Sequence, residues 1–375
     1  MIYLDNAATT QVFECAADAA VKAMRVDYFN PNATYGAGVS IKTDIEENRR
    51  TIARALGAAP DELYFTSGAT EANNWVFKCG IKNKKGNVVI SAGEHSSVYE
   101  PAMRLKSDGT DVRIVGLTKD GIVDLDELSR AVDANTTLVS VIHVSNETGV
   151  VNPIEKIVST VKARAPRALV HSDGVQAALK LKKPLDALGV DLYTVGAHKL
   201  GAPKGVGLLY AKKPLVMSPM ILGGGQENGR RSGTQNTPHI AAFAAAVTEF
   251  SRIEKDSDIP NIRKKLCDVL VRNGCEIIGS EEQNSGYIAC VHVPNVKAEI
   301  LQNLVFESGV VIGKGAACSG SKRGNRVLKA MGLDDKKIEC CVRISLFVNS
   351  KEADVMSAAD IILAAAQRIR SNNVG

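Results

Sequence analysis

The chain has 375 residues, 45% hydrophobic and 23% charged, with a formal charge of +5. That length suggests two domains with a large core, and the composition is that of an ordinary soluble globular protein. Lys and Arg are scattered, with no basic stripe interleaved with aromatics, which argues against a nucleic-acid partner. No apolar stretch reaches the ~18 residues of a membrane span, and the N-terminus has no signal-peptide pattern. Eight cysteines without a Cys-x-x-Cys pair read as reduced thiols of a cytoplasmic protein with no structural metal.

In chain order, strand-length apolar runs are predicted at Leu63–Thr66, Asn87–Ser91, Asp111–Val115, Leu138–His143, Ala168–Ser172, Asp191–Val195 and Gly205–Tyr210. Helical patterns fall between them at Thr70–Cys79, Val98–Lys106, Leu125–Val132 and Ile154–Ala165. Continuous apolar strands alternating with helices predict an α/β fold with a mainly parallel seven-stranded sheet covered on both faces. A glycine-rich segment, Leu222–Gly233, precedes a long helix at Pro238–Ile253. The order then changes to a helix at Arg263–Asn273, short strands at Glu276–Ile278 and Ile288–His292, and a helix near Lys297–Ser308. A glycine-rich loop at Gly313–Gly324, a strand at Val342–Leu346 and a terminal helix from Ala353 follow. The expected division is a large domain over residues 14–250 and a smaller α+β domain from residues 1–13 and 251–375.

Polar groups cluster just past the strand ends. Asp173 closes one apolar strand and Lys199 follows the next, 26 residues further on. A lysine amine that can form a Schiff base, and a carboxylate that can keep a pyridine nitrogen protonated, are what pyridoxal phosphate requires. Strand ends are where an α/β fold places its chemistry. Ser67-Gly68-Ala69-Thr70-Glu71 joins a strand to a helix as a phosphate cradle does, although an ordinary capped turn has the same form. His95 follows a strand and can lie against an aromatic ring or exchange protons. Asn146 and Gln176 carry amides able to meet a ring oxygen or a substrate carboxylate. Taken singly each is an ordinary loop residue, and His198 can do no more than shape the turn before Lys199.

Arg343, inside an apolar strand, needs a carboxylate, either a structural partner or a substrate. Ser232 and Thr234 beside Arg231 can reach a phosphate, in this subunit or in another. Cys318 stands among small residues with Lys314, Lys322 and Arg323 nearby, surroundings that favour the nucleophilic thiolate. The other cysteines read as packing residues, with Cys340 and Cys341 as adjacent strand positions facing opposite sides.

Together these motifs resemble a cysteine desulfurase, a fold-type-I pyridoxal-phosphate enzyme of the aminotransferase class V group. The resemblance runs from Tyr3-Leu4-Asp5-Asn6-Ala7-Ala8-Thr9-Thr10 and Asn30-Pro31 through Ser67–Glu71, Glu94-His95 and Asn146-Glu147-Thr148-Gly149. It continues with His171-Ser172-Asp173, Gln176, His198-Lys199, Pro203-Lys204-Gly205, Arg231–Thr234, Ala317-Cys318-Ser319 and Arg343-Ile344-Ser345. The extended loop around Cys318 is similar to the subgroup that supplies sulfur for iron–sulfur clusters and tRNA thiolation.

The resemblance implies that Lys199 holds pyridoxal 5'-phosphate, Asp173 meets its ring nitrogen, Asn146 and Gln176 its ring oxygen, and His95 its face. It puts Ala69 and Thr70 on the phosphate, with Thr234 reaching it across a homodimer, and counts Gly196 and His198 among the cofactor-binding residues. Arg343 with Asn146 would grip L-cysteine, His95 would handle a proton, and Cys318 would pass sulfur to a cluster scaffold or tRNA-thiolation enzyme. A selenocysteine lyase or another class V aminotransferase is the alternative. Gly196 stands where the family usually has Ser, Tyr35 where His is usual, and Arg323-Gly324-Asn325-Arg326 where Pro-Ser-His is common.

Overall fold

The computed structural model describes residues 1–79, 86–315 and 325–372. Its twelve strands are β1 (Ile2–Leu4), β2 (Leu63–Thr66), β3 (Asn87–Ser91), β4 (Asp111–Val115), β5 (Thr136–Ser140), β6 (Leu169–Asp173), β7 (Leu192–Gly196), β8 (Gly207–Ala211), β9 (Glu276–Ile278), β10 (Ile288–His292), β11 (Val310–Lys314) and β12 (Cys341–Ser345). Seven form one sheet in the order β2-β8-β7-β6-β5-β3-β4. Only β8 runs against its neighbours, so the expected mainly parallel sheet is present.

The strands are apolar throughout because each buries both faces. Val89, Val139, Val170, Tyr193, Val195, Leu208 and Tyr210 join one core cluster with the helices Glu14–Arg25, Gly36–Leu56, Ile154–Arg164 and Thr237–Glu254. Val88, Ile90, Leu138, Leu192 and Leu209 join a second cluster with Ala72, Trp75, Val76, Val98 and Ala102 of the helices Ala69–Cys79 and Ser96–Ser107. Neighbouring residues of one strand thus face opposite helix layers, the two-residue period of a pleated sheet.

The second sheet has the order β1-β11-β12-β10-β9 and packs on the helices Ile259–Arg272, Ala298–Glu307 and Glu352–Asn372. Its edge is the chain's N-terminus, since Ile2 to Leu4 pair parallel with Val310 to Ile312. Two expectations need correction here. The glycine-rich loop begins later than Gly313, because Gly313 and Lys314 pair with Arg343 and Val342 as strand residues. Cys340 is not in a strand: it ends the helix Asp335–Glu339, and β12 begins at Cys341. Six described cysteines are free thiols. Among the described residues no helix is long and apolar enough to cross a membrane.

Gly174 sets how closely β6 and β7 approach beyond Asp173. A Cβ there would lie 1.9 Å from ring atoms of Tyr193, and that ring is fixed by a 2.8 Å hydrogen bond between its hydroxyl and His143 Nδ1. Gly174→Ala is therefore expected to destabilise the protein by about 3 kcal/mol, the upper range for overpacking a rigid core. Urea unfolding measures this, and an unchanged midpoint would show that Tyr193 yields freely.

Candidate active site

The chain leaves β3 for β4 on one side and then places β5, β6 and β7 on the other, so the connections reverse between β3 and β5. Ligands of open α/β sheets bind outside the carboxyl ends of the strands at such a point. The segments after β2, β3 and β7 carry Thr70, His95 and Lys199, Asp173 is the last residue of β6, and Asn146 follows β5. Parallel pairing of β3, β5, β6 and β7 puts these ends on one edge, and β2, antiparallel to β8, shares their direction.

Asp173 is 2% exposed at the end of β6. Its Oδ1 accepts from Val175 N at 3.0 Å and its Oδ2 from Asn73 Nδ2 at 2.8 Å. Lys199 is buried in the short 3-10 turn after β7, and its Nζ donates to the carbonyls of Ala7 and Ala8, each at 2.5 Å. Gln176 is bound to the same N-terminal segment, donating to Ala7 O at 2.9 Å, while its Oε1 accepts from Lys180 Nζ at 3.1 Å. Burial, with Lys199 nearby, lowers Lys180 to about 7. His198 Nδ1 meets Thr9 Oγ1 at 3.1 Å, and burial next to Lys199 and Lys204 lowers its pKa to about 4.

His95 caps the helix Ser96–Ser107, its Nδ1 accepting from Ser97 N at 3.1 Å. Burial is the main cause that lowers its pKa; Asp173 opposes this, and Lys199, Arg326 and Arg343 reinforce it. Hydrogen bonds through Asn73 and Ser97 join Asp173 to His95, and residues 5–8 hold Lys199, Gln176 and Arg343, so residues read separately from the sequence are brought together. Thr70 lies exposed in the first turn of the helix Ala69–Cys79, whose first N–H groups lack partners within the helix. A Cβ on Gly68 would meet nothing within 4 Å, which leaves open space beside that helix start.

Arg343 is 2% exposed in β12. Its Nη2 is 3.0 Å from Asp5 Oδ1, and its Nη1 is 3.0 Å from Asn146 O and 3.8 Å from Glu147 Oε1. The carboxylate partner that a buried guanidinium demands is thus present within the protein. Asn146 meets Arg343 through its backbone carbonyl, while its amide donates to Glu147 Oε1 at 2.8 Å. Gly313 lies against this group: a Cβ on it would sit 2.6 Å from Asp5 Oδ1 and 3.2 Å from Arg343 Nε. Gly196 has ordinary clearance, 3.4 Å from its Cβ position to Ala69 Cβ. Thr234 is exposed, and Arg231, three residues earlier, pairs with Glu71 at 2.8 Å beside Thr70. Tyr35 is exposed and caps the helix Gly36–Leu56. Cys318 lies outside the described residues, and so does Arg323-Gly324.

Several residues of the cleft went unread in the sequence. Asn73 and Ser97 link Asp173 to His95, Asp5 holds Arg343, and Lys180 backs Gln176. Asn73 had a findable signal, since it lies one helical turn beyond Thr70 on the same face. Arg326 donates to the carbonyls of Ala92 and Glu94 and lies 3.9 Å over the Tyr99 ring, which bolts the His95 turn to the helix Arg326–Ala330. Asn325 Nδ2 reaches Glu147 Oε2 at 3.2 Å. Neither contact has a sequence signal, because both partners are remote in the chain.

The residues present suit pyridoxal phosphate: a buried amine, a buried carboxylate at the neighbouring strand end, an imidazole linked to that carboxylate through Ser97 and Asn73, and a helix start facing open space. A family model described as "Aminotransferase class-V" matches residues 2–357. The cysteine desulfurase of Nostoc sp. PCC 7120 is 31% identical over 99% of this chain and 94% of its own length. A solved "NifS-like protein" superposes with a TM-score of 0.90 at 34% identity, covering 97% of this chain and 98% of that one. A structure titled "SspA in complex with cysteine" has a TM-score of 0.82 at 29% identity, covering 92% and 99%. The chain belongs to the class-V aminotransferase family of pyridoxal-phosphate enzymes. Within that family it is a cysteine desulfurase.

Glu94 supports the His95 turn from below. It is fully buried, and its Oε1 accepts from Ser91 Oγ at 2.5 Å and Ile142 N at 2.7 Å. Its Oε2 finds no hydrogen-bond partner among the described residues. Burial raises its pKa from 4.5 to about 8, so the folded protein holds a proton that the unfolded chain releases at lower pH. Stability from this group is complete below pH 4.5 and is lost as pH rises through about 8. Glu94→Gln keeps the accepting oxygen and cannot ionise. Its stability relative to the parent is expected to climb across that window and level off above it. Urea midpoints measured against pH test this, and a difference that stays constant contradicts a buried, protonated Glu94.

Proposed function

We propose that the protein converts L-cysteine to L-alanine and carries the sulfur as a persulfide on Cys318 to an acceptor protein. The acceptor class is a scaffold for iron–sulfur clusters or a tRNA-thiolation enzyme, and the working form is a cytoplasmic homodimer in which Thr234 serves the partner's phosphate site. The domain division is taken as residues 14–250 for the cofactor and residues 1–13 with 251–375 for the smaller part. The observation that carries this reading is the hydrogen-bonded link from Asp173 through Asn73 and Ser97 to His95, with Lys199 and Arg343 both tied to residues 5–8. The neighbour solved with cysteine supports the choice of substrate.

Lys199 would hold pyridoxal phosphate through its amine, and Asp173 would face the ring nitrogen. Asn146 and Gln176 would meet the ring oxygen, and His95 the ring face. Ala69, Thr70, Gly196 and His198 would take the phosphate side, with a backbone N–H standing in for the hydroxyl that Gly196 lacks. Bound there, the cofactor supplies an electron sink for the bonds broken at the amino acid's Cα.

The protein's own groups do the rest. Arg343, steadied by Asp5 and Asn146, binds the substrate carboxylate as a two-pronged donor. Lys199 Nζ accepts the Cα proton once the amine is free. The Cys318 thiolate attacks the substrate sulfur: an S–S bond forms, the Cβ–S bond breaks with its electron pair left on carbon, Cβ takes a proton to become alanine's methyl group, and Lys199 Nζ returns a proton to Cα.

Cys318→Ala is expected to keep the visible absorption of the bound cofactor and to lose sulfur release from L-cysteine by about 100-fold or more. Full desulfuration by that variant would remove Cys318 from the pathway. It would also favour a selenocysteine lyase, whose chemistry does not need the thiol.

A further inference from the structure

We infer that Asn73 and Ser97 form a relay from Asp173 to His95 that fixes His95 as a donor at Nε2, making Asn73 a positioning residue for both. The inference rests on reading this cleft as the amino-acid site. It adds a statement about which way the imidazole can move a proton.

The direction of each hydrogen bond is forced. Ser97 N lies 3.1 Å from His95 Nδ1, and a backbone N–H can only donate, so Nδ1 carries a lone pair. The proton of the neutral ring is therefore on Nε2. Ser97 Oγ, 2.8 Å from the same Nδ1, must also donate to it. Its proton is then committed to Nδ1, so toward Asn73 it can only accept, and one of its two lone pairs does so from Asn73 Nδ2 at 2.8 Å. The second N–H of that amide goes to Asp173 Oδ2 at 2.8 Å. Turning the amide over would set Oδ1 against a carboxylate oxygen, which can only accept. In the observed sense Asn73 Oδ1 is buried with no hydrogen-bond partner among the described residues. Asn73 is itself fully buried. An unsatisfied oxygen costs stability, so the two donated bonds outweigh it.

A proton on Nδ1 would meet the Ser97 N–H head on. Burial and the cations Lys199, Arg326 and Arg343 also resist a charged ring, and Asp173 alone favours one. His95 thus presents a proton-bearing Nε2 instead of a vacant base. It suits a substrate group that accepts a hydrogen bond, such as a thiolate, and does not suit the task of deprotonating a thiol.

The test is the imidazole ¹⁵N spectrum of the labelled holoenzyme against pH, with His95→Gln identifying the resonances. The parent is expected to show the Nε2–H form throughout the neutral range. Asn73→Leu removes the donor that keeps the Ser97 hydroxyl turned toward Nδ1, and Ser97→Ala removes that hydroxyl altogether. Each should move the protonation midpoint of His95 upward by about 0.5 to 1 pH unit. If Asn73→Leu does not fold, Ser97→Ala carries the comparison. An Nδ1–H or doubly protonated ring in the parent near neutral pH overturns the proposal, as do midpoints unmoved in the folded variants. The readout needs no sulfur release, so a desulfurase assay can fail while the relay stands, or the reverse.

Discussion

The pairing of β6 with β7 is the constraint on which the cleft depends. Their register sets Asp173 opposite Thr194, so β6 ends in the carboxylate while β7 runs two residues further and turns into Lys199. Both strands are buried on both faces, and a slip of one residue would turn Asp173 into the wrong helix layer. The acid and the amine are thus held by the same hydrogen bonds that hold the sheet. Gly174 keeps the approach close by leaving the Tyr193 ring room at the point where β6 ends.

A second constraint comes from the other end of the chain. Residues 5–10 bind two cations of the cleft and the amide beside them: Ala7 and Ala8 accept from Lys199, Asp5 from Arg343, and Ala7 from Gln176. Thr9 and Thr10 meet the ring and the carbonyl of His198. Because β1 belongs to the smaller sheet, this segment couples that sheet to the large one. Its acceptors meet cations that burial would otherwise leave costly. Asp5 and Glu147 do the same for Arg343, so the guanidinium stays oriented before any substrate carboxylate arrives.

The large sheet was legible because strands buried on both faces are continuous apolar runs, and Leu63–Thr66, Asn87–Ser91 and Asp111–Val115 have the expected bounds. The polar residues just beyond those runs were legible for the same reason, since nothing else interrupts the pattern. The helix Gly36–Leu56 was missed: its start is Gly, Ala and Ser without a side-chain cap, and only its end, at Gly57 with φ of 67°, carries a local signal. Strand β11 was missed because its partners, β1 and β12, are distant in sequence. Asp5, Glu94, Lys180 and Arg326 matter through contacts across the fold, and no local pattern separates them from surface or packing residues. Cys318 is the reverse case: it is legible by its motif and lies outside the described residues.

The central claim is that an amine after β7 and a carboxylate ending β6 hold pyridoxal phosphate for the desulfuration of cysteine. The most direct measurement is the visible spectrum of the reconstituted protein before and after L-cysteine is added, with alanine and sulfide assayed in the same sample under a thiol reductant. The expected result is an absorption band that changes on mixing, with alanine and sulfide appearing in equal amounts. A protein that takes up no cofactor, or a band that L-cysteine leaves unchanged with no alanine formed, would contradict the account.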